Sequence, residues 1–218
     1  MTLAIQDIRC PNCFGILERK PLKKERCPLC DRLIFVKTLP LTSKRTLMTE
    51  TDAGKIDEEW RQVEEEQACI DIAKGVGISR DALVERQGEL RRLMGKPALL
   101  RGAFISLMNE KIVQSIKQEQ WDHLSKLYFA QTIFFRKSKE EFLSAILKAR
   151  NANLKEYKAR GIRKVEILGS ERSSCGACEA FKGKVFSLAD MMKTTPLPLR
   201  ECENPIGYCR CVYAPVTD

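Results

Sequence analysis

Nine of the ten cysteines in this 218-residue chain fall into two clusters: Cys10, Cys13, Cys27 and Cys30 near the start, and Cys175, Cys178, Cys202, Cys209 and Cys211 near the end. This arrangement points to metal before anything else. A CxxC pair lets two sulfurs from one tight turn reach the same ion, and a second pair completes the tetrahedron that Zn²⁺ accepts. No basic start followed by an apolar run precedes Cys10, and the apolar stretches are too short and interrupted to span a bilayer, so a cytoplasmic, reducing setting is expected. There, clustered thiols serve as ligands rather than disulfides. The cofactor expected is zinc, two ions in all, one per cluster; an iron–sulfur cluster is the alternative for four thiolates.

The first cluster reads CPNC, thirteen intervening residues, then CPLC, the pattern of a zinc ribbon. Each CPxC forms a knuckle in which proline restricts the backbone. Phe14-Gly15-Ile16-Leu17 is expected as a short strand between the knuckles and Leu33-Ile34-Phe35-Val36 as another after them. So little apolar surface cannot fold alone, and the ion would pin it. Arg19, Lys20, Lys23, Lys24 and Arg26 crowd the loop between the knuckles and form a candidate nucleic-acid-binding patch that would grip phosphates with little base preference. The competing reading is a solvated loop. Phe14 and Phe35 are the only aromatic residues nearby, which gives stacking on single strands little support.

The formal charge of +9 is unevenly spread. Residues 1–48 hold 10 basic and 4 acidic side chains, residues 49–78 hold 3 and 9, residues 79–164 hold 19 and 9, and residues 165–218 hold 6 and 7. Four thiolates outweigh one divalent cation by about two charges, so filling both sites leaves the chain near about +5. Whole-chain charge is therefore weak ground for a nucleic-acid partner.

After Pro40 the composition turns to helix formers. Thr49 with Asp52 makes a capping-box-like start, and Ile56, Trp60, Val63 and Ile70 mark one face of an acidic helix. Cys69 within it is expected as a small buried apolar residue. Gly75 and Gly77 end that pattern, and Ser79 caps a helix with Leu83, Leu90 and Leu93 toward its core. Stripes follow at Leu100, Phe104, Leu107, Met108 and Ile112, and at Trp121, Leu124, Tyr128 and Phe134. A Ser138–Glu141 capping box then opens a helix through Phe142, Ile146, Ala149 and Tyr157 to Gly161. These are antiparallel helices with short joints. The opening Trp121 to Tyr128 resembles the start of a tetratricopeptide repeat over eight residues, with no second copy in register, so core packing accounts for it. His123 is the only histidine, which leaves triads and mixed Cys–His centres almost no raw material. A cysteine nucleophile, Cys69 or the surplus carboxyl-terminal thiol, has no base placed to activate it.

Arg163 to Leu168 alternates as a strand leading into Cys175-Gly176-Ala177-Cys178. Lys182-Gly183-Lys184 is a turn signal, Val185-Phe186 a short strand, and Ser187 with Asp190 a capping box for a brief helix through Met192. Pro196 and Pro198 carry the chain on to Cys202, and Cys209-Arg210-Cys211 enters a last strand ending near Pro215. Four thiols suffice for zinc. Cys175 and Cys178 belong to the set; which two of Cys202, Cys209 and Cys211 complete it stays open at the level of sequence.

This end of the chain resembles the Mu F-like phage head morphogenesis family, in which a CxxC is followed by a Gly-Lys turn, a proline-rich approach and a terminal Cys-Arg-Cys before a last strand. The matching positions are Cys175, Cys178, Gly183, Lys184, Pro196, Cys209, Arg210 and Cys211, within about the last fifty residues. The family commonly has a histidine shortly before Cys-Arg-Cys where this chain offers Cys202, and the amino-terminal ribbon lies outside the family pattern. The resemblance implies a minor virion or portal-associated protein that touches DNA during packaging or ejection.

The expected fold is mainly α: a zinc ribbon over 1–48, an antiparallel helical middle over 49–162, and a cysteine-rich α+β zinc-binding module over 163–218. The expected function is that of a non-catalytic, zinc-stabilised adaptor, encoded by a phage or prophage and associated with head morphogenesis or the portal. Its partners would be portal or capsid components, with non-specific DNA as a further ligand, no membrane contact, and a cytoplasmic or virion-associated location. A zinc-ribbon nucleic-acid-binding regulator is the alternative.

Overall fold

The computed structural model describes residues 8–169, 175–204 and 208–217. Within them the chain is mainly α, with small antiparallel sheets toward each end. It divides into two compact units, Met1–Gln67 and Ala68–Asp218.

The first unit holds β1 (Glu25–Arg26), β2 (Leu33–Thr38) and β3 (Arg45–Met48), joined in that order, with Arg26 opposite Leu33 and Phe35 opposite Met48. Its buried core is Cys10, Leu17, Cys27 and Ile34, so half of it is cysteine. The strand expected at Phe14–Leu17 reduces to a single bridge between Arg9 and Ile16. The reason is local: Phe14 takes a left-handed backbone, φ 59°, which no strand residue adopts.

Helix α1 (Glu50–Gly75) starts in this unit and ends in the next. Its amide at Asp52 donates to Thr49 Oγ1 (3.2 Å), whose hydroxyl donates to the Asp52 carboxylate (2.8 Å), as the capping signal predicts. Trp60 Nε1 donates to the Thr38 carbonyl at 2.7 Å and ties the helix to the end of β2. Val63 is exposed rather than part of the buried stripe, because small residues, Ala53 early and Ala68, Cys69 and Ala73 late, make the close packing.

The second unit begins with the end of α1 and continues with α2 (Arg80–Met94), α3 (Leu100–Lys117), α4 (Trp121–Lys137) and α5 (Leu143–Ala159). Phe104 and Phe134 meet at its centre, ring centroids 4.7 Å apart, among Leu83, Met108, Leu127 and Cys69. Cys69 is fully buried and Leu83 is core, as expected; Leu93 is exposed, near the end of α2 where Gly95 turns the chain with φ 63°. The start of α5 also differs from expectation. Ser138 ends α4, and the Glu141 carboxylate accepts from the amides of Leu143 and Ser144 at 2.6 and 3.2 Å.

Beyond Gly161 come β4 (Lys164–Leu168), α6 (Gly176–Glu179), β5 (Val185–Ser187), α7 (Leu188–Thr194) and β6 (Val212–Val216). The sheet order is β5-β4-β6, with Val165 facing Phe186 on one side and Pro215 on the other. Ser187 stands at the N-cap of α7 with extended backbone but makes no side-chain cap bond. Helix α5 belongs to both cores of this unit: Ala152 packs among the helices, while Leu154 and Tyr157 pack with Val165, Ile167, Cys178, Cys209 and Cys211.

Candidate metal centres

The two CPxC segments fold into matching knuckles. Phe14 N donates to the Cys10 carbonyl and Asp31 N to the Cys27 carbonyl, both at 2.9 Å. Cys10 N reaches Gly15 O and Cys27 N reaches Arg32 O, again both at 2.9 Å. Phe14 and Asp31, each the residue after the second cysteine, have φ of 59° and 58°. The amides of Asn12 and Leu29 point at Cys10 Sγ and Cys27 Sγ, both at 3.4 Å. Such N–H groups favour the thiolate over the thiol.

The knuckles face each other. Cys10 and Cys30 sulfurs lie 4.0 Å apart, Cys13 and Cys27 sulfurs 3.9 Å, and all four fall within 4.8 Å of one another. Zinc–sulfur bonds of about 2.3 Å in a tetrahedron separate sulfurs by about 3.8 Å. The donor set and its spacing fit the ion. Burial pushes the Cys10 thiol up, but the amides of Asn12 and Cys13 and the thiols of Cys27 and Cys13 outweigh it and hold Cys10 at about 7. At Cys30 the Arg32 amide pulls down, while burial and the other three thiols push up, to about 12. One thiol ionises early and another late because four thiolates this close repel until a cation arrives.

The carboxyl-terminal five sit differently. Their sulfurs form two triangles that share Cys178: Cys175–Cys178–Cys202 and Cys178–Cys209–Cys211. Cys178 Sγ lies 3.6 Å from Cys175, 3.6 Å from Cys202 and 3.8 Å from Cys209, and Cys175 lies 3.7 Å from Cys202. The amides of Cys178 and Glu203 hold Cys175 at about 7. Burial pushes Cys178 and Cys202 up, and Cys211 to about 11. Tyr157 Oη donates to the Tyr213 carbonyl at 2.9 Å, and Leu197 N donates to Tyr213 Oη at 3.2 Å, so α5 and the proline-rich approach both anchor the strand that follows Cys209 and Cys211. A cavity of about 670 Å³ bordered by Leu147, Asn151, Pro196, Cys202 and Cys209 gives an ion a route to the sulfurs.

The five basic residues of the ribbon are all exposed, but not equally free. Arg19 pairs with Glu25 at 3.4 Å, Arg26 with Asp31 at 3.0 Å, and Lys24 Nζ lies 4.5 Å from the Phe35 ring centroid. Lys20 and Lys23 have no such partner among the described residues. The same unit exposes Phe14, Ile16, Leu22 and Leu29, which the sequence does not single out as a group. Leu29 lies over Gly15, where a Cβ would collide with its Cδ1. Away from both clusters, the His123 ring shares a 2.9 Å hydrogen bond with the buried Ser115 hydroxyl, a structural contact between α3 and α4.

Sequence reasoning also passed over Arg150. It stands four residues from Ile146 and from Leu154 on the buried face of α5, a spacing that signals the core. No helix among the described residues is long and apolar enough to cross a membrane.

These features define a mainly helical protein with a cysteine cluster of metal-ligand geometry toward each end. No protein-family model matches the chain, and comparison with curated proteins and with solved structures gives no match.

Proposed function

We propose that the protein is a zinc-stabilised adaptor without catalytic activity, encoded by a phage or prophage and acting at the head or portal. It holds one zinc ion in each cysteine cluster and works in the host cytoplasm or in the assembling virion. The observation that carries the adaptor reading is the ribbon surface: Phe14, Leu22 and Leu29 stand 70, 76 and 61% exposed beside Lys20 and Lys23. A metal-pinned loop that offers apolar side chains amid positive charge suits a protein partner with an acidic rim. Non-specific DNA is a second ligand through Lys20 and Lys23. The Cys175-to-Cys211 pattern supports the phage association.

The reading is tested on particles from an induced prophage that carries the gene. The protein should copurify with procapsids or heads at a few copies each, and Phe14→Ser with Leu29→Ser should remove it from them while both zinc ions stay bound. Heads that lack the wild-type protein would overturn the phage assignment. Metal analysis giving less than one zinc per cluster after anaerobic preparation would overturn the zinc assignment.

The nucleic-acid-binding regulator is the less favoured reading, since Arg19, Arg26 and Lys24 are already engaged within the ribbon. It requires an affinity for DNA that falls steeply with salt and collapses in a Lys20→Glu, Lys23→Glu variant.

A further inference from the structure

Arg150 is 8% exposed, and its Nε is buried with no hydrogen-bond partner. Its guanidinium makes no ion pair or hydrogen bond among the described residues. A buried cation without a partner is costly, and arginine cannot escape by giving up its proton. A molecule that supplies an acceptor therefore gains more here than at an exposed arginine.

Space for such a molecule lies beside it. Arg150 borders a cavity of about 640 Å³ that belongs wholly to the second unit, lined by the end of α1, by α4 and by α5. Small-ligand pockets span about 300–1,000 Å³. The walls are largely apolar: Ile72 and Val76 come from the α1 side, Phe129 and Ile133 from α4. Phe129 and Ile133 stand outside the core around Phe104 and Phe134 and are 39 and 40% exposed, so a ligand reaches them from solvent. Besides Arg150, the buried Ser125 and Asn153, one turn along α5, add polar groups. Asp71, Asp122 and Lys126 complete the border, and all three are exposed. Lys126 Nζ already holds the Asp122 carboxylate at 2.6 Å. Charges in water are screened, whereas a buried one acts at low dielectric, so Arg150 sets what the interior prefers.

We propose that this cavity binds a small organic carboxylate with an apolar body: the carboxylate meets the Arg150 guanidinium, and the body lies against Phe129 and Ile133. The walls define the class. An inorganic anion leaves the apolar sides unused, an uncharged apolar molecule leaves the arginine unpaired, and a cation meets a like charge. A planar carboxylate accepts from the guanidinium fork at two points, which fixes orientation as well as charge. Because Nε is sealed, the two terminal nitrogens make these bonds. The cavity shares no residue with either cysteine cluster, so the proposal stands whether or not they hold zinc.

The test is calorimetric titration of the full chain with three probes: phenylbutyrate, its uncharged amide phenylbutyramide, and acetate, which has the head without the body. Phenylbutyrate should bind about 10–100-fold tighter than the amide, the range for a hydrogen bond to a charged group, and far tighter than acetate. Arg150→Met keeps a long side chain and removes the charge; it should bring phenylbutyrate down to the level of the amide and leave the amide nearly unchanged. Ile133→Trp fills the cavity from an exposed position and should abolish binding of both. Lys126→Gln, which removes only a cation of the rim, should leave the preference for the carboxylate in place.

A wild-type chain that takes up no phenylbutyrate would overturn the proposal, as would equal affinity for the carboxylate and the amide. A preference that survives Arg150→Met, or is lost in Lys126→Gln, would assign the carboxylate to another cation and overturn it too. Binding that survives Ile133→Trp would place the ligand elsewhere, and acetate as tight as phenylbutyrate would show that the apolar walls contribute nothing; either refutes the site. Should Arg150→Met fail to fold, the wild-type comparison of carboxylate with amide, Ile133→Trp and Lys126→Gln decide, because none of them alters the arginine.

Discussion

Replacing Cys27 by serine should unfold the ribbon and leave the helices of the second unit standing. Only Leu17 and Ile34 are buried apolar side chains of the ribbon core once its cysteines are set aside. At about 1.5–3 kcal/mol each, they supply about 3–6 kcal/mol. Ordering a single residue's backbone costs about 1–2 kcal/mol, so two side chains offset a handful of residues and not a module of this size. A structural zinc ion contributes about 10–16 kcal/mol, and it is the term that decides. Trp60 reports the change, since its indole donates to the Thr38 carbonyl at the end of β2. The chain has two tryptophans, so a Trp121→Phe background isolates the signal. The expected result of Cys27→Ser, or of chelation, is a red shift of Trp60 emission and fast amide exchange across β2 and β3, with helical circular dichroism largely kept. Slow exchange at Ile34 and Phe35 in the metal-free protein would refute the reasoning, because the apolar pair would then suffice.

Further outcomes follow from particular contacts. Metal-free protein at pH 7 should be alkylated first at Cys175, which is half-exposed and held at about 7, whereas Cys10 at the same value is buried; zinc should protect both, as peptide mapping would show. Phe104→Ala should cost about 3–5 kcal/mol in denaturant unfolding of the helical core, because the ring is fully buried against Phe134. Thr49→Ala should cost about 1 kcal/mol through the lost N-cap. The Thr49 hydroxyl, followed by Lys55, also lowers the Asp52 pKa, and a depressed carboxylate adds stability above its unfolded value that is lost as pH falls through the folded one. The gap between wild type and Thr49→Ala should therefore narrow in acid.

Much of this architecture is legible in the sequence where one local signal suffices. The CPxC spacing gives the knuckles, Ser79 gives the start of α2, and the Phe104 to Ile112 stripe gives a core helix. What escapes depends on partners far along the chain. Val63 has the right helical phase, but small residues flank it on the buried face and leave it in solvent. Ser138 and Glu141 have capping-box spacing, yet the carboxylate alone caps α5 because Ser138 already closes α4. Phe14 looks like a strand residue until the knuckle hydrogen bond to Cys10 forces its φ positive. Arg150 looks like one surface cation among many in a basic helical stretch until α5 packs against its neighbours and leaves it buried.

The choice among the five carboxyl-terminal thiols is open in the sequence and narrower in the structure. Cys178 Sγ has three sulfurs within 3.8 Å, those of Cys175, Cys202 and Cys209, close to the about 3.8 Å edge of a zinc–thiolate tetrahedron. Burial pushes Cys211 to about 11 and pushes Cys178 and Cys202 up as well, so thiol acidity does not separate the ligands and the sulfur spacing decides. Cys178→Ser should therefore abolish the second zinc and Cys209→Ser should weaken it severely, while Cys211→Ser retains it with stability lost only in proportion to a buried sulfur exchanged for a hydroxyl. Full zinc content in Cys209→Ser together with its loss in Cys211→Ser would reverse the assignment and make Cys211 the fourth ligand.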